Sequence, residues 1–385
     1  MHSSRERFPG LDEWVRLDGP AGTLPVDTSI DAMHAYLTSS APANTGGAFA
    51  ASRETTGLVE TVREQVGALL GAQGSQVIFG PSATALVFAY TRALARTWTG
   101  SERIICTQLD HDSNVTPWVE AARDVGATVT TLPIDPSDGT LDLADLEREL
   151  HAGGVAWVAM TGASNLTGWA PDVRAALDLS HAAGARIHID AVARAPHLPI
   201  NVNAWGIDSL VTSPYKWYGP HAGVLCGDPA LLDALPAAKV RPAADTGPRR
   251  WETGTPNFEA IAAIAAAAEF LLDEGLDRIG ADEARLGATL LDGLGEIDGV
   301  RLWGPATMDH RVPTFAFTVD GQHPDDVAAA LAAAKVAAWS GHNVAVETVD
   351  QLGLADSGGV VRVGVVAYVD DDDVERLLTA VRALG

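Results

Sequence analysis

Between about residue 57 and residue 230 the chain changes period again and again: helical spacing of apolar residues gives way to short runs of branched apolar residues, then returns. That alternation is what a mostly parallel sheet with helices on both faces requires, and few other architectures accept it. The pattern predicts helices over 57–70, 85–97, 117–125, 143–150 and 173–183, and strands over 76–79, 103–107, 128–132, 155–161, 186–190, 209–212 and 223–226. Ligands of such sheets sit beyond the carboxyl ends of the strands. Asp190 and the segments 161–165 and 213–216 all fall there.

After Pro256 the composition shifts to an alanine-rich stretch over 261–271, whose residues favour helix intrinsically. This divides the chain into a large domain over 17–260 and a small α+β domain over 261–385, with residues 1–16 expected to pack as an extra segment. The second part reads as a helix, a strand over 314–319, a helix over 325–334, a strand over 360–365 and a final helix from Asp371. The run Asp370–Asp373 precedes an amphipathic pattern, so it is expected to cap that helix rather than hold a cation. No metal site is expected.

With 47% hydrophobic and 20% charged residues in 385, the chain is long and apolar enough for a large core. No apolar run reaches the length of a membrane span, and the first ten residues hold no apolar signal core, so a cytoplasmic location is expected. A net charge of −24 repels phosphate backbones and anionic lipid, which argues against nucleic acid or membrane as partner. The two cysteines, Cys106 and Cys226, lie in apolar strand-like contexts without metal-ligand spacing and are expected to be buried small hydrophobes.

The stretch 209–221 sets Lys216 among aromatic residues just past a strand and before a Gly-Pro turn. Ammonium groups are normally left in water, so a lysine here suggests a desolvated nucleophile, a snorkelling surface lysine being the plain alternative. Asp190 closes an earlier strand; it reads either as a functional carboxylate or as a strand-end helix cap. A lysine that forms an imine and an acid that pairs with a pyridinium nitrogen are what pyridoxal phosphate asks of a protein. The motifs Asp190-Ala191-Val192-x-x-Ala195-Pro196-His197 and Ser213-x-Tyr215-Lys216-x-x-Gly219-Pro220-His221 resemble the class V aminotransferase superfamily, pyridoxal-phosphate enzymes of fold type I, and within it the cysteine-desulfurase-like branch. The resemblance runs from Leu17 to Arg362. It implies an α/β fold with a mostly parallel seven-stranded sheet in the large domain and a small α+β carboxyl-terminal domain.

By that resemblance Lys216, His111 and Asp190 are catalytic, His111 stacking on the cofactor ring within Asp110-His111-Asp112-Ser113-Asn114. Cofactor binding is expected from these three with Asn165, Thr84, Ala83, Ser213, Tyr215 and Thr255, the last reaching the phosphate of a neighbouring subunit from the Glu252-Thr253-Gly254-Thr255-Pro256-Asn257 loop. That contact implies a homodimer with shared active sites. Residue by residue there are plainer readings: a loop histidine for His111, a turn asparagine for Asn165, a helix cap for Ser82 or Thr84. Arg362 lies inside an apolar strand, an expensive place unless an anion meets it. The family uses it for the substrate carboxylate, with Asn44 and His342 also expected at the substrate.

The chain departs from the family where desulfurases carry the cysteine that attacks sulfur: here the loop reads Trp339-Ser340-Gly341-His342-Asn343-Val344-Ala345. Valine cannot form a persulfide. The expected function is therefore a pyridoxal-phosphate enzyme that abstracts the α-proton of an amino acid, forms a carbanion (quinonoid) species, and eliminates a β- or γ-substituent, as a carbon–sulfur lyase does. Transamination or epimerisation is the alternative, then persulfide-forming desulfuration, then a non-catalytic cofactor-binding module.

Overall fold

The computed structural model describes residues 4–384. Seven strands form one sheet in the order Val77–Gly80, Gly223–Gly227, Ser209–Thr212, Arg186–Asp190, Val155–Thr161, Arg103–Thr107 and Thr128–Leu132. All neighbours are parallel except Gly223–Gly227, which runs against both of its partners. Strands covered on both faces must be apolar throughout, and Ile104, Ile105, Val158, Met160, Ile187, Ile189, Leu210 and Val211 are all buried. The expected α/β class and mostly parallel seven-stranded sheet are what the chain forms.

Local chemistry sets the helix ends. Ser82 caps helix Ala83–Ala95 by accepting from the Ala85 N–H, and Pro117 lies in the first turn of Thr116–Val125, which ends at Gly126 with φ 81°. The helix expected from residue 57 begins earlier, as Ala50–Leu70. Asp370 and Asp373 cap the helix Asp371–Arg382 reciprocally.

A second sheet of four antiparallel strands follows the order Trp339–Gly341, Val360–Gly364, Thr314–Val319 and Val300–Trp303. Its first and last strands were not expected. Helix Phe258–Glu274 buries ten of its residues, and Ser29 Oγ donates to its Ala263 carbonyl, tying it to helix Asp27–Thr38. The boundary expected at 260–261 falls inside this continuous helix. The chain next breaks at Gly275, φ 77°, before helix Leu276–Gly295.

The amino-terminal segment bridges both halves. The Phe8 ring meets Tyr218, Phe270 and Tyr368 at centroid distances of 5.3, 5.6 and 4.9 Å, and Val15–Arg16 pairs with Val336–Ala337. No helix among the described residues is long and apolar enough to cross a membrane.

Candidate active site

Beyond the strand ends lies a cavity lined by Ala83, Thr84, His111, Asn165, Asp190, Ser213, Tyr215 and Lys216, together with Ser82, Ser113, Thr161, Ala163, Val192 and Ala193. Eight of the residues expected at the site therefore meet there from five separate stretches of sequence.

Strand Ser209–Thr212 delivers the lysine through one short turn, Pro214–Lys216. The residues after it fix that turn: Trp217 and Tyr218 are fully buried, Trp217 Nε1 donates to Thr212 Oγ1, and the Tyr218 hydroxyl accepts from the Ala367 N–H. Lys216 Nζ donates to the Pro20 carbonyl and lies 5.2 Å from the Tyr215 ring centroid. Burial, then the charge of Arg362, draw its pKa down to about 7, with Asp190 opposing. A large fraction of the amine is thus unprotonated near neutrality.

Asp190 Oδ1 accepts from the Val192 N–H at 2.9 Å, which leaves its other oxygen for the cavity. Burial raises its pKa to about 6, against the pull of the Val192 N–H and Lys216. At neutral pH it remains a carboxylate.

His111 Nδ1 accepts from the Ser113 N–H at 3.1 Å and lies 2.8 Å from Ser113 Oγ. An accepting Nδ1 places the proton of the neutral ring on Nε2. Burial, with Lys216 and Arg362 adding repulsion, lowers its pKa to about 4, so the ring is neutral in the physiological range. Beneath it Asp110 takes hydrogen bonds from Thr107 Oγ1 and Asn114 Nδ2, and Asn114 Oδ1 accepts from Trp118 Nε1. These buried bonds hold the loop.

Asn165 connects three parts. Its Nδ2 donates to the Asn343 carbonyl at 2.8 Å, its own carbonyl accepts from Arg362 Nη1 at 2.9 Å, and its Oδ1 is buried without a partner among the described residues. Arg362 is itself buried, which lowers its pKa to about 10. Over this corner folds the loop 341–345. Asn343 and Val344 both have left-handed backbone, φ 49° and 60°, and the Val344 carbonyl accepts from the Asp112 N–H. That region is sterically costly for a β-branched side chain. Val344 is 43% exposed.

The opposite end of the cavity is the start of helix Ala83–Ala95, with Thr84 exposed on its first turn. A Cβ on Gly223 would lie 2.3–2.5 Å from the backbone of Ser82 and Ala83, so only glycine lets the neighbouring strand support this turn so closely. Free N–H groups, a helix start and nearby hydroxyls suit a phosphate. Tyr215 stacks on His221 at 4.9 Å and burial raises its pKa.

Pyridoxal phosphate fits these residues. Lys216 offers an amine, Asp190 a carboxylate for a protonated ring nitrogen, Asn165 Oδ1 an unmet acceptor, and the helix start a phosphate seat.

Four expected residues do not line this cavity. Arg362 touches it through Asn165. His342 holds its own loop, with Nδ1 accepting from the Val344 N–H. Thr255 lines a different cavity with Phe79, Pro81, Trp251 and Glu252. Asn44 is exposed, its carbonyl taken by Ser52 Oγ. Sequence reasoning missed Ser113 and the Pro20 carbonyl; a serine two residues past a histidine is a local cap pattern that offers a signal, whereas a carbonyl from a distant segment offers none.

Residues 15–377 match the family model for aminotransferase class-V. The probable cysteine desulfurase 2 of Mycobacterium leprae is 32% identical, with 100% of this chain and 96% of that protein covered. The cysteine desulfurase CsdA of Escherichia coli is 30% identical, covering 99% and 96%. The apo structure of cysteine desulfurase from Thermococcus onnurineus superposes with a TM-score of 0.94 at 27% identity, covering 100% of this chain and 98% of that one.

Proposed function

We propose that this chain, which belongs to the class-V aminotransferase family, eliminates a β- or γ-substituent, sulfur-linked ones included, from an amino acid. The protein is a pyridoxal-phosphate-dependent enzyme. The observation that carries the reading is the absence of a thiol among the described residues at the cavity. Cys106 and Cys226 are buried in strands, with burial pushing Cys106 well above its usual range and Cys226 up to about 12. Val344, exposed on the loop, carries no thiol. Elimination needs a base and an electron sink but no thiol. The named relatives are cysteine desulfurases, which favours a sulfur-bearing substrate.

Bound at the cavity, the cofactor supplies an acceptor for the electrons of the α-carbon. Lys216 Nζ, partly unprotonated near neutrality, takes the α-proton and can return it. The Asp190 carboxylate holds a proton on the ring nitrogen. Arg362 binds the substrate carboxylate with its planar fork. His111 presents Nε2–H from a loop its buried hydrogen bonds keep still, and the loop 341–345 excludes water. Thr255, away from the cavity of its own chain, serves the phosphate of a second copy in a homodimer.

The test is a panel of β- and γ-substituted amino acids scored for ammonia and keto-acid release, with wild type and with Cys106→Ser/Cys226→Ser. Release retained by the folded double variant is expected. Amino transfer that depends on added keto acid, without release, overturns the elimination reading; a persulfide trapped on either cysteine restores desulfuration.

A further inference from the structure

A second cavity, sharing no lining residue with the one that holds Lys216, is bounded by residues 170–174, Arg194, Leu198, Trp205 and residues 308 and 310–311. Its unmet polar atoms are all donors. Arg194 Nε, Arg311 Nε and the neighbouring Trp169 Nε1 are buried without partners among the described residues, and Trp169 packs on His310 at 5.7 Å. Buried N–H groups in folded proteins are nearly always met, so three unmet donors together call for an acceptor.

The charges agree. Arg311 is 5% exposed, and its hydrogen bonds go to the Pro305 and Thr314 carbonyls, which carry no charge. Arg194 makes two long bonds, 3.3 Å to the Gly162 carbonyl and 3.4 Å to that of Pro199, and lies over the Trp205 ring. Burial lowers their pKa values to about 9 for Arg311 and about 10 for Arg194, with the charge of Asp172 opposing at Arg194. Asp172 is the acidic group on the cavity, and its Oδ1 is engaged as the cap of helix Val173–Ala182. Arg174 at the rim is paired with Asp178. Neither the buried guanidinium of Arg311 nor the half-buried one of Arg194 has a carboxylate hydrogen bond among the described residues, which is costly, and an oxyanion here lowers that cost. Because the two bonds of Arg194 are long, its fork can turn to meet a ligand with little lost.

We propose that this cavity binds a small oxyanion of the phosphate or sulfate class, held by Arg194 and Arg311. Arg194 and Arg311 are outside the catalytic cavity, so the inference does not depend on which reaction Lys216 carries out.

The probe is inorganic phosphate observed by 31P resonance broadening with holoenzyme, at ionic strength fixed with sodium chloride. Holoenzyme keeps the cofactor's own phosphate seat filled. Saturable broadening, displaced by sulfate and weakened at least tenfold in Arg194→Gln, is expected. Arg194 is only half-buried, so this variant should fold, and its cofactor absorption should match wild type. Broadening that never saturates, that is equal in Arg194→Gln, or that arises only after cofactor is removed overturns the proposal, the last by assigning the phosphate to the catalytic cavity.

Discussion

Glu252→Gln isolates a buried ion pair beside the strand that leads into the site. Arg63 and Glu252 meet in a two-pronged bond at 2.7 and 2.6 Å, with side chains 2% and 6% exposed, and Glu252 Oε1 also accepts from the Phe79 N–H. Arg63 further donates to the Val77 carbonyl and lies over the Phe79 ring. Glutamine keeps the shape but leaves the buried guanidinium only the exposed Glu60, 3.7 Å away, as counter-charge, and breaking a buried pair typically costs about 3–5 kcal/mol. Spread over the unfolding entropy of a chain of 385 residues, that is a fall in Tm of about 4–6 °C. The assay is thermal unfolding of the cofactor-free protein, for Glu252→Gln, Arg63→Met and both together. Because the double variant removes both charges, it should fall by less than the two single losses combined. A Glu252→Gln protein that melts within a degree of wild type, or strictly additive losses, refutes the reasoning.

Covalent uptake of cofactor by the cofactor-free protein should accelerate as pH rises and level off above about 7, since Lys216 is protonated below that value and burial has removed its usual high pKa; a midpoint near 10 contradicts this. Arg362→Ala should reduce kcat/KM for amino acid substrates by about two to three orders of magnitude, and Arg362→Lys should recover part of it, with cofactor absorption unchanged in both; wild-type turnover by the alanine variant removes the carboxylate role. Val344→Asn should raise stability by about 1 kcal/mol, because asparagine tolerates the left-handed backbone that valine resists, and thermal unfolding reads the sign. Sedimentation at assay concentration should show a dimer, and an active monomer contradicts the shared-site reading.

Inner strands of the large sheet were legible because both of their faces are covered, so their middles are apolar, as in Ile104-Ile105-Cys106, whereas the edge strand Thr128–Leu132 is only partly covered. Direction was not: nothing in Gly223–Gly227 distinguishes an antiparallel strand from its parallel neighbours. The small sheet's outer strands escaped notice because Val300–Trp303 is largely half-exposed and Trp339–Gly341 is three residues long with an exposed tryptophan. The alanine run 261–271 marked a change of composition, and it lies inside one continuous helix, Phe258–Glu274, whose start the composition did not show. At the site, Lys216 and Asp190 stood out because charge at the end of an apolar strand needs a reason. The seat at Ser82–Thr84 was weak in sequence, since its support comes from Gly223, far along the chain.

The contact between Phe8 and Tyr368 bears on the order in which the molecule can be made. Tyr218, two residues past the lysine, is held by Phe8 from the beginning of the chain and by Ala367 and Tyr368 from near its end. During synthesis at roughly 5–20 residues per second, the stretch between them takes on the order of ten seconds to emerge. Throughout that interval Phe8 and Tyr218 are both made and Phe270 joins them partway, but Tyr368 and the Ala367 N–H are not yet present. The turn that carries Lys216 therefore gains its full set of supports only after residues 367 and 368 have been made.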